Sequence, residues 1–163
     1  MADTTDDIVD DVMQREDRSG TGIVTIDTGG RTQFGISERA NPEAWADNQV
    51  TEDEAREIYE RKYVRGPKFH LIPDEQLRAH LVDFGVNSGP MIAIMKLQSI
   101  IGADIDGIIG PDTLGRLAAT PIEYVRTQLV VARLKLIGRL VTKDPRNQLK
   151  MLNGWLARAC EFL

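Results

Sequence analysis

Apolar residues return every three or four positions through most of this chain, and only about residues 22–36 break the rhythm. A helical period sustained that far predicts a mainly α fold, with any sheet confined to the exception. Ile8, Val9, Val12 and Met13 form the first stripe, behind Thr4 or Thr5 as N-cap and Asp6 and Asp7 in the first turn. Thr51-Glu52-Asp53-Glu54 spells a capping box, followed by a buried stripe of Ala55, Ile58, Tyr59 and Tyr63. Pro73-Asp74 opens a helix carrying Leu77, Leu81 and Phe84, and Ile92–Ile101 forms another, stopped by Gly102. Gly110-Pro111 starts a short helix. Thr120-Pro121-Ile122-Glu123 combines a second capping box with proline before a helix running to about Leu140. Asp144-Pro145 opens a last helix reaching Trp155 and Leu156.

The exception begins with Ile23-Val24-Thr25-Ile26, a β-prone run, and continues into Thr28-Gly29-Gly30-Arg31, where glycines can take positive φ. One small β-hairpin over 22–36 is expected, with Asp27 and Thr32 leaving neighbouring strands and facing one another. Glu16 continues the 8–12–16 line of the first helix, at the edge of its apolar face. A carboxyl there loses hydration, which favours the neutral form a proton donor needs. Cleaving a glycosidic bond takes such a donor plus a group that steadies positive charge or aims a water. Singly, each of these features is more often structural; the order Glu16, Asp27, Gly29-Gly30, Thr32, Gly35-Ile36 gives them weight together.

In that order the chain resembles the phage-type lysozymes, and within them glycoside hydrolase family 108, whose members cleave peptidoglycan. The family opens on Glu-Gly-Gly, a short loop, Asp-Pro-Gly-Gly-x-Thr and Gly-Ile. Here Asp17-Arg18 replaces Gly-Gly, the loop to Asp27 is about two residues long in excess, and Thr28 stands for Pro. Asp83-Phe84-Gly85-Val86-Asn87-Ser88-Gly89-Pro90 is similar to a family segment near the substrate groove; its bland alternative is a turn between two helices. Leu97-Gln98 with Asp106-Gly107-Ile108-Ile109-Gly110-Pro111-Asp112-Thr113-Leu114 is similar to a peptidoglycan-binding segment, although a scaffold role, with Ile108 and Ile109 plugging the core, explains the residues by itself and is favoured over wall contact. Gly154-Trp155-Leu156-Ala157-Arg158 also matches, as core packing.

The resemblance implies a lysozyme-like helical fold and an N-acetylmuramidase in which Glu16 is the general acid, Asp27 the charge stabiliser or water polariser, and Thr32 a holder of that water. Gly30, Asp83, Asn87 and Ser88 are its expected substrate contacts, and no metal or organic cofactor is implied. A lytic transglycosylase and a catalytically dead wall-binding or virion module are the alternatives, the second because of Asp17-Arg18.

At 163 residues the chain fits a single domain, 1–163, with an N-terminal catalytic lobe over about 1–70 and a helical lobe over about 71–163. A monomer acting on a peptidoglycan glycan strand is expected. The acidic start lacks an apolar signal region and no uncharged run approaches a membrane span. Manufacture in a host cytoplasm is therefore expected, with action on the periplasmic wall after another protein permeabilises the membrane. Residues 116–163 hold nine Lys/Arg against three Asp/Glu, in a chain of net charge −5. On residues 127–143 the basic and apolar positions fit a buried core helix better than a membrane-active one. Arg61, Lys62, Arg65 and Lys68 flank Tyr63 and Phe69, but a pI near 5.1 argues against nucleic acid. His70, His80 and Cys160 match no zinc spacing, Cys160 suits packing better than nucleophilic attack, and Asp104-Ile105-Asp106-Gly107 lacks the later ligands of a calcium loop.

Overall fold

The computed structural model describes residues 5–17, 22–27 and 30–163, and of Asp27 only the backbone. The chain divides into two compact units, Met1–Gly66 and Pro67–Leu163. Helices dominate both, and the one sheet among the described residues belongs to the first.

In the first unit, α1 (Thr5–Glu16) buries Ile8, Val9, Val12 and Met13 and packs on α2 (Glu52–Tyr59). Thr5 is the first helical residue rather than a cap, and Thr4 lies outside the described residues. The capping box before α2 forms in full: Glu54 N–H donates to Thr51 Oγ1 at 3.2 Å, and Thr51 N–H donates back to the Glu54 carboxylate at 2.8 Å. Beyond Tyr59 the helix widens into a π-helical turn, Glu60–Arg65. The extra residue per turn shifts the phase of the stripe, so that Val64 is buried and Tyr63 only half-buried.

The expected hairpin is an antiparallel sheet of three strands, β1 (Thr25–Asp27), β2 (Gly30–Gln33) and β3 (Ile36–Ser37). The third strand arises at Phe34-Gly35, whose φ of 50° and 76° suit the tight two-residue turn that matches strand twist. Behind it, the Trp45 indole donates to Ile36 O at 3.3 Å. Arg31 grips Glu38 through two bonds, 3.0 and 2.8 Å, with its guanidinium 4.8 Å from the Trp45 ring.

In the second unit, α3 (Glu75–Ser88) is capped by Asp74, which accepts from Leu77 N–H at 2.8 Å. Gly89, at φ 91°, turns α3 directly into α4 (Pro90–Ile101), against which it packs. The short α5 (Pro111–Ala119) follows, and then α6 (Ile122–Lys143), which packs on α4, α3 and α8 (Leu152–Cys160). α6 buries Val125, Leu129, Val130 and Ile137, as a core helix requires, while Leu140 near its end is exposed.

Four local expectations are corrected. The capping box at Thr120 does not form: its hydroxyl donates to Arg116 O at 2.8 Å, closing α5 instead of opening α6. The helix from Pro145 is broken into α7 (Pro145–Gln148), a 3-10 turn (Leu149–Met151) and α8. Ile109 is buried but Ile108 is 58% exposed, so one isoleucine plugs the core, not two. Cys160 is exposed rather than packed. The Asp106-Gly107 turn is held from beneath by buried Gln98. Its amide donates to Asp106 at 2.7 Å, Ile108 O at 3.0 Å and Thr113 at 3.0 Å, and accepts from Gly107 N–H at 2.9 Å.

Candidate active site

Glu16 is the last residue of α1 and is half-buried. The stem of its side chain is pressed against the β2–β3 turn: a Cβ built on Gly35 would lie 2.8 Å from Glu16 Cβ and would collide with the Tyr59 hydroxyl. Only glycine, at φ 76°, lets the helix end and the turn approach so closely. Tyr59 holds the same turn by donating its hydroxyl to Phe34 O at 3.3 Å, and its ring lies 5.8 Å from that of Tyr63. Burial first, and then the charge of Glu16, hold the Tyr63 hydroxyl above the usual tyrosine range. The acid therefore sits on a ledge of glycine backbone that Tyr59 holds in place.

The chain leaving α1 is tied down at Gly22, whose N–H donates to the Asp17 carboxylate at 2.9 Å. Gln33 of β2 donates to Gly22 O at 2.8 Å and accepts from Val50 N–H at 2.8 Å. A Cβ on Gly22, at φ 60°, would strike the Phe34 ring. Asp17, which departs from the pattern discussed above, thus has a local role in closing the connection to β1. Its neighbour Arg18 and the turn residues Thr28 and Gly29 lie outside the described residues.

The sheet register corrects the expected pairing of the two helpers. Asp27 pairs with Gly30, whereas Thr32 pairs with Thr25, so Asp27 and Thr32 are not opposite one another. They stand two ladder positions apart. Thr32 Oγ1 is buried and has no hydrogen-bond partner among the described residues. A native protein seldom leaves a buried hydroxyl in that state unless water or ligand completes it. Gly30 is exposed.

The other expected contacts lie in the second unit and differ among themselves. Asn87 is exposed on the last turn of α3, donating to Asp83 O at 3.3 Å, and Ser88 is half-buried beside it. Both border a small cavity of about 40 Å³ that also touches Arg133 and Trp155. Asp83 does not fit a substrate contact: it is 1% exposed, and its carboxylate meets Arg133 at 2.7 Å and Arg158 at 2.8 Å. Sequence pattern places it beside Asn87, but the helical turn sends it into the core, where it joins α3 to α6 and α8.

A larger cavity of about 380 Å³ in the first unit is lined by Asp10, Asp11, Gln14, Asp17, Glu52 and Arg56, among others. Neither Glu16 nor Thr32 lines it, and its cation Arg56 is already paired with Asp10. Its lining is dominated by carboxylates, which repel an anionic ligand. No group of three or more His, Cys, Asp or Glu suited to a metal occurs among the described residues.

The residues around the ledge, Gly35, Tyr59, Tyr63 and Gln33, carry no catalytic signature in sequence. Gly35 stood in the motif without a role, and the tyrosines read as core.

Residues 9–89 match the family model described as glycosyl hydrolase 108, a segment running from α1 to the end of α3 and spanning Glu16, Asp27 and Thr32. A solved structure described as that of Brucella abortus SagA has a TM-score of 0.64 with this chain, at 24% identity over 94% of each chain, a likeness of fold. No curated protein matches.

Proposed function

The chain belongs to the glycosyl hydrolase 108 family, and we propose that it is a peptidoglycan hydrolase, an N-acetylmuramidase in which Glu16 is the general acid. The family makes it a glycoside hydrolase on a mainly α, lysozyme-like fold, and its substrate a glycan. The bond cut is the β-1,4 link between N-acetylmuramic acid and N-acetylglucosamine. Glu16 gives its proton to the glycosidic oxygen as the C1–O bond breaks, and the positive charge grows on the sugar ring. Asp27 stabilises that charge or polarises the attacking water, and Thr32 helps to hold the water that adds to C1. Gly30, Asn87 and Ser88 contact the glycan.

One observation carries this reading: an acid at a helix end, half-buried against a glycine turn, in the same unit as a buried threonine hydroxyl that awaits a partner. No step needs a metal or organic cofactor. In its setting the enzyme is an endolysin, made in a host cytoplasm and monomeric, which reaches the periplasmic wall after another agent opens the membrane and so lyses the host. No helix among the described residues is long and apolar enough to cross a membrane. Exposed Ile105 and Ile108, on either side of the Asp106-Gly107 turn, offer the second unit's contact with the wall.

Digestion of purified sacculi, followed by mass spectrometry of the released muropeptides, tests the chemistry. Reducing N-acetylmuramic acid ends are expected. Reducing N-acetylglucosamine ends would reassign the bond, and anhydro ends would make the enzyme a lytic transglycosylase. Binding to sacculi without release would make it a wall-binding module.

A further inference from the structure

We propose that the end of α6, with the short α7 and 3-10 turn that follow it, forms a face that binds the surface of an anionic phospholipid bilayer. Ile137 is the last buried residue of α6. Beyond it Arg139, Lys143, Arg146 and Lys150 are exposed, and so are Leu140, Leu149 and Met151. The core helix thus overhangs its core, and the overhang is both basic and apolar.

Charge argues for the kind of partner. Residues 135–150 carry five Lys/Arg against one acid, Asp144, net +4, whereas the rest of the chain nets −9 in a total of −5. The Asp144 carboxylate is engaged by the Asn147 amide, at 3.1 and 2.9 Å. Elsewhere in this unit arginines are committed to acids: Arg116 to Asp112, Arg126 to Asp74, and Arg133 and Arg158 to Asp83. Among the described residues, the five cations of 135–150 make no ion pair. Lys135, Arg139 and Lys143 recur every four residues and so stand on one side of α6. α7 packs on α6, and the 3-10 turn packs on α7 and α8, which keeps Arg146 and Lys150 at the same end of that helix. Like charges gathered in this way repel one another, and a dense anionic surface relieves them.

The apolar side chains choose among anionic partners. Leu140 follows Arg139, and Leu149 and Met151 flank Lys150, at 59% and 46% exposure. A nucleic acid or an acidic glycan would take the cations and leave these side chains in water. A bilayer takes both, its phosphates meeting the cations and its acyl boundary the leucines and methionine. The contact lies in the interface plane, without a membrane span. It goes beyond the hydrolase reading and asks nothing of Glu16.

Flotation of the full chain with vesicles of phosphatidylglycerol and phosphatidylcholine in equal parts, and of phosphatidylcholine alone, tests the face. The protein should float with the acidic vesicles at low salt and leave them at high salt, and should not float with the neutral ones. Lys143→Gln/Arg146→Gln/Lys150→Gln should lower partitioning by about fivefold per charge removed, on the order of 100-fold in all. Leu149→Ser/Met151→Ser should weaken binding to acidic vesicles while keeping its salt dependence. Circular dichroism and muropeptide release from lipid-free sacculi should match the wild type in both variants. A chain that floats as expected but releases no muropeptides would sink the hydrolase reading and leave the lipid face standing. Equal flotation with neutral vesicles, or of wild type and the triple variant with acidic ones, would overturn the proposal. Retention on immobilised heparin without flotation, or an apolar double variant that floats like wild type, would overturn it in favour of an anionic polymer.

Discussion

Thr32 and Asp83 show how differently two polar side chains of one motif set can serve. Thr32 buries a hydroxyl without a partner among the described residues, a cost of about 1–3 kcal/mol that a bound water or glycan would relieve. Thr32→Val removes the hydroxyl and keeps the shape. Sacculus turnover should fall by on the order of tenfold while the unfolding temperature holds or rises, because stability is being exchanged for function. A lower unfolding temperature with unchanged turnover would make Thr32 a structural residue. Asp27→Ala should likewise slow turnover, by less than removal of the Glu16 acid does, and a wild-type rate would take Asp27 out of the site. Asp83 is the opposite case. Its carboxylate is shared by Arg133 and Arg158, each of which would lose a buried ion pair without it. Asp83→Ala should therefore destabilise by about 3–5 kcal/mol in urea unfolding, with glycan affinity altered only through lost fold. A weaker KM at unchanged stability would restore Asp83 as a substrate contact.

Among elements, the β2–β3 turn matters most. Gly35→Ala would put a methyl at φ 76° against Glu16 and the Tyr59 hydroxyl. Strain of about 1–3 kcal/mol is expected, with a larger loss in turnover than in stability as Glu16 is pushed off its ledge. Chemical unfolding beside kinetics would separate the two, and equal losses would deny the turn its positioning role. What could be read from sequence at this scale was what is local. The α1 stripe and the Thr51 capping box each depend on residues within a turn or two, and both form. Thr120 had the same local signature but a competing acceptor, Arg116 O, at the end of the preceding helix. The π turn was hidden because a constant helical period is assumed whenever a stripe is extended past Tyr59. Gln33 was hidden because its partners, Gly22 and Val50, are 11 and 17 residues away. The proposed acid and hydroxyl were thus nameable from sequence, whereas the glycine turn against which Glu16 rests was not.

At the scale of the molecule, stability carries a pH signature set by one buried histidine. His80 of α3 is buried against Phe84 and Phe162. Burial, reinforced by Arg133 and opposed by Asp83, pushes its pKa down to about 3. A base whose folded pKa lies below its unfolded value stabilises the fold fully above about pH 6.5 and loses that contribution as pH falls toward 3. Unfolding free energy should fall by about 1.4 kcal/mol per pH unit across that window from this group alone. His80→Phe should flatten the slope between about pH 6 and 4.5, where carboxylates contribute least; an unchanged slope would place the titration elsewhere.

The account as a whole depends on Glu16 acting as the proton donor. The most direct test is the initial rate of muropeptide release from purified sacculi by wild type and Glu16→Gln, with circular dichroism and unfolding temperature recorded on the same samples. Removing the acid should lower the rate by at least about 100-fold at unchanged fold. A folded Glu16→Gln protein that still releases muropeptides at the wild-type rate would contradict it.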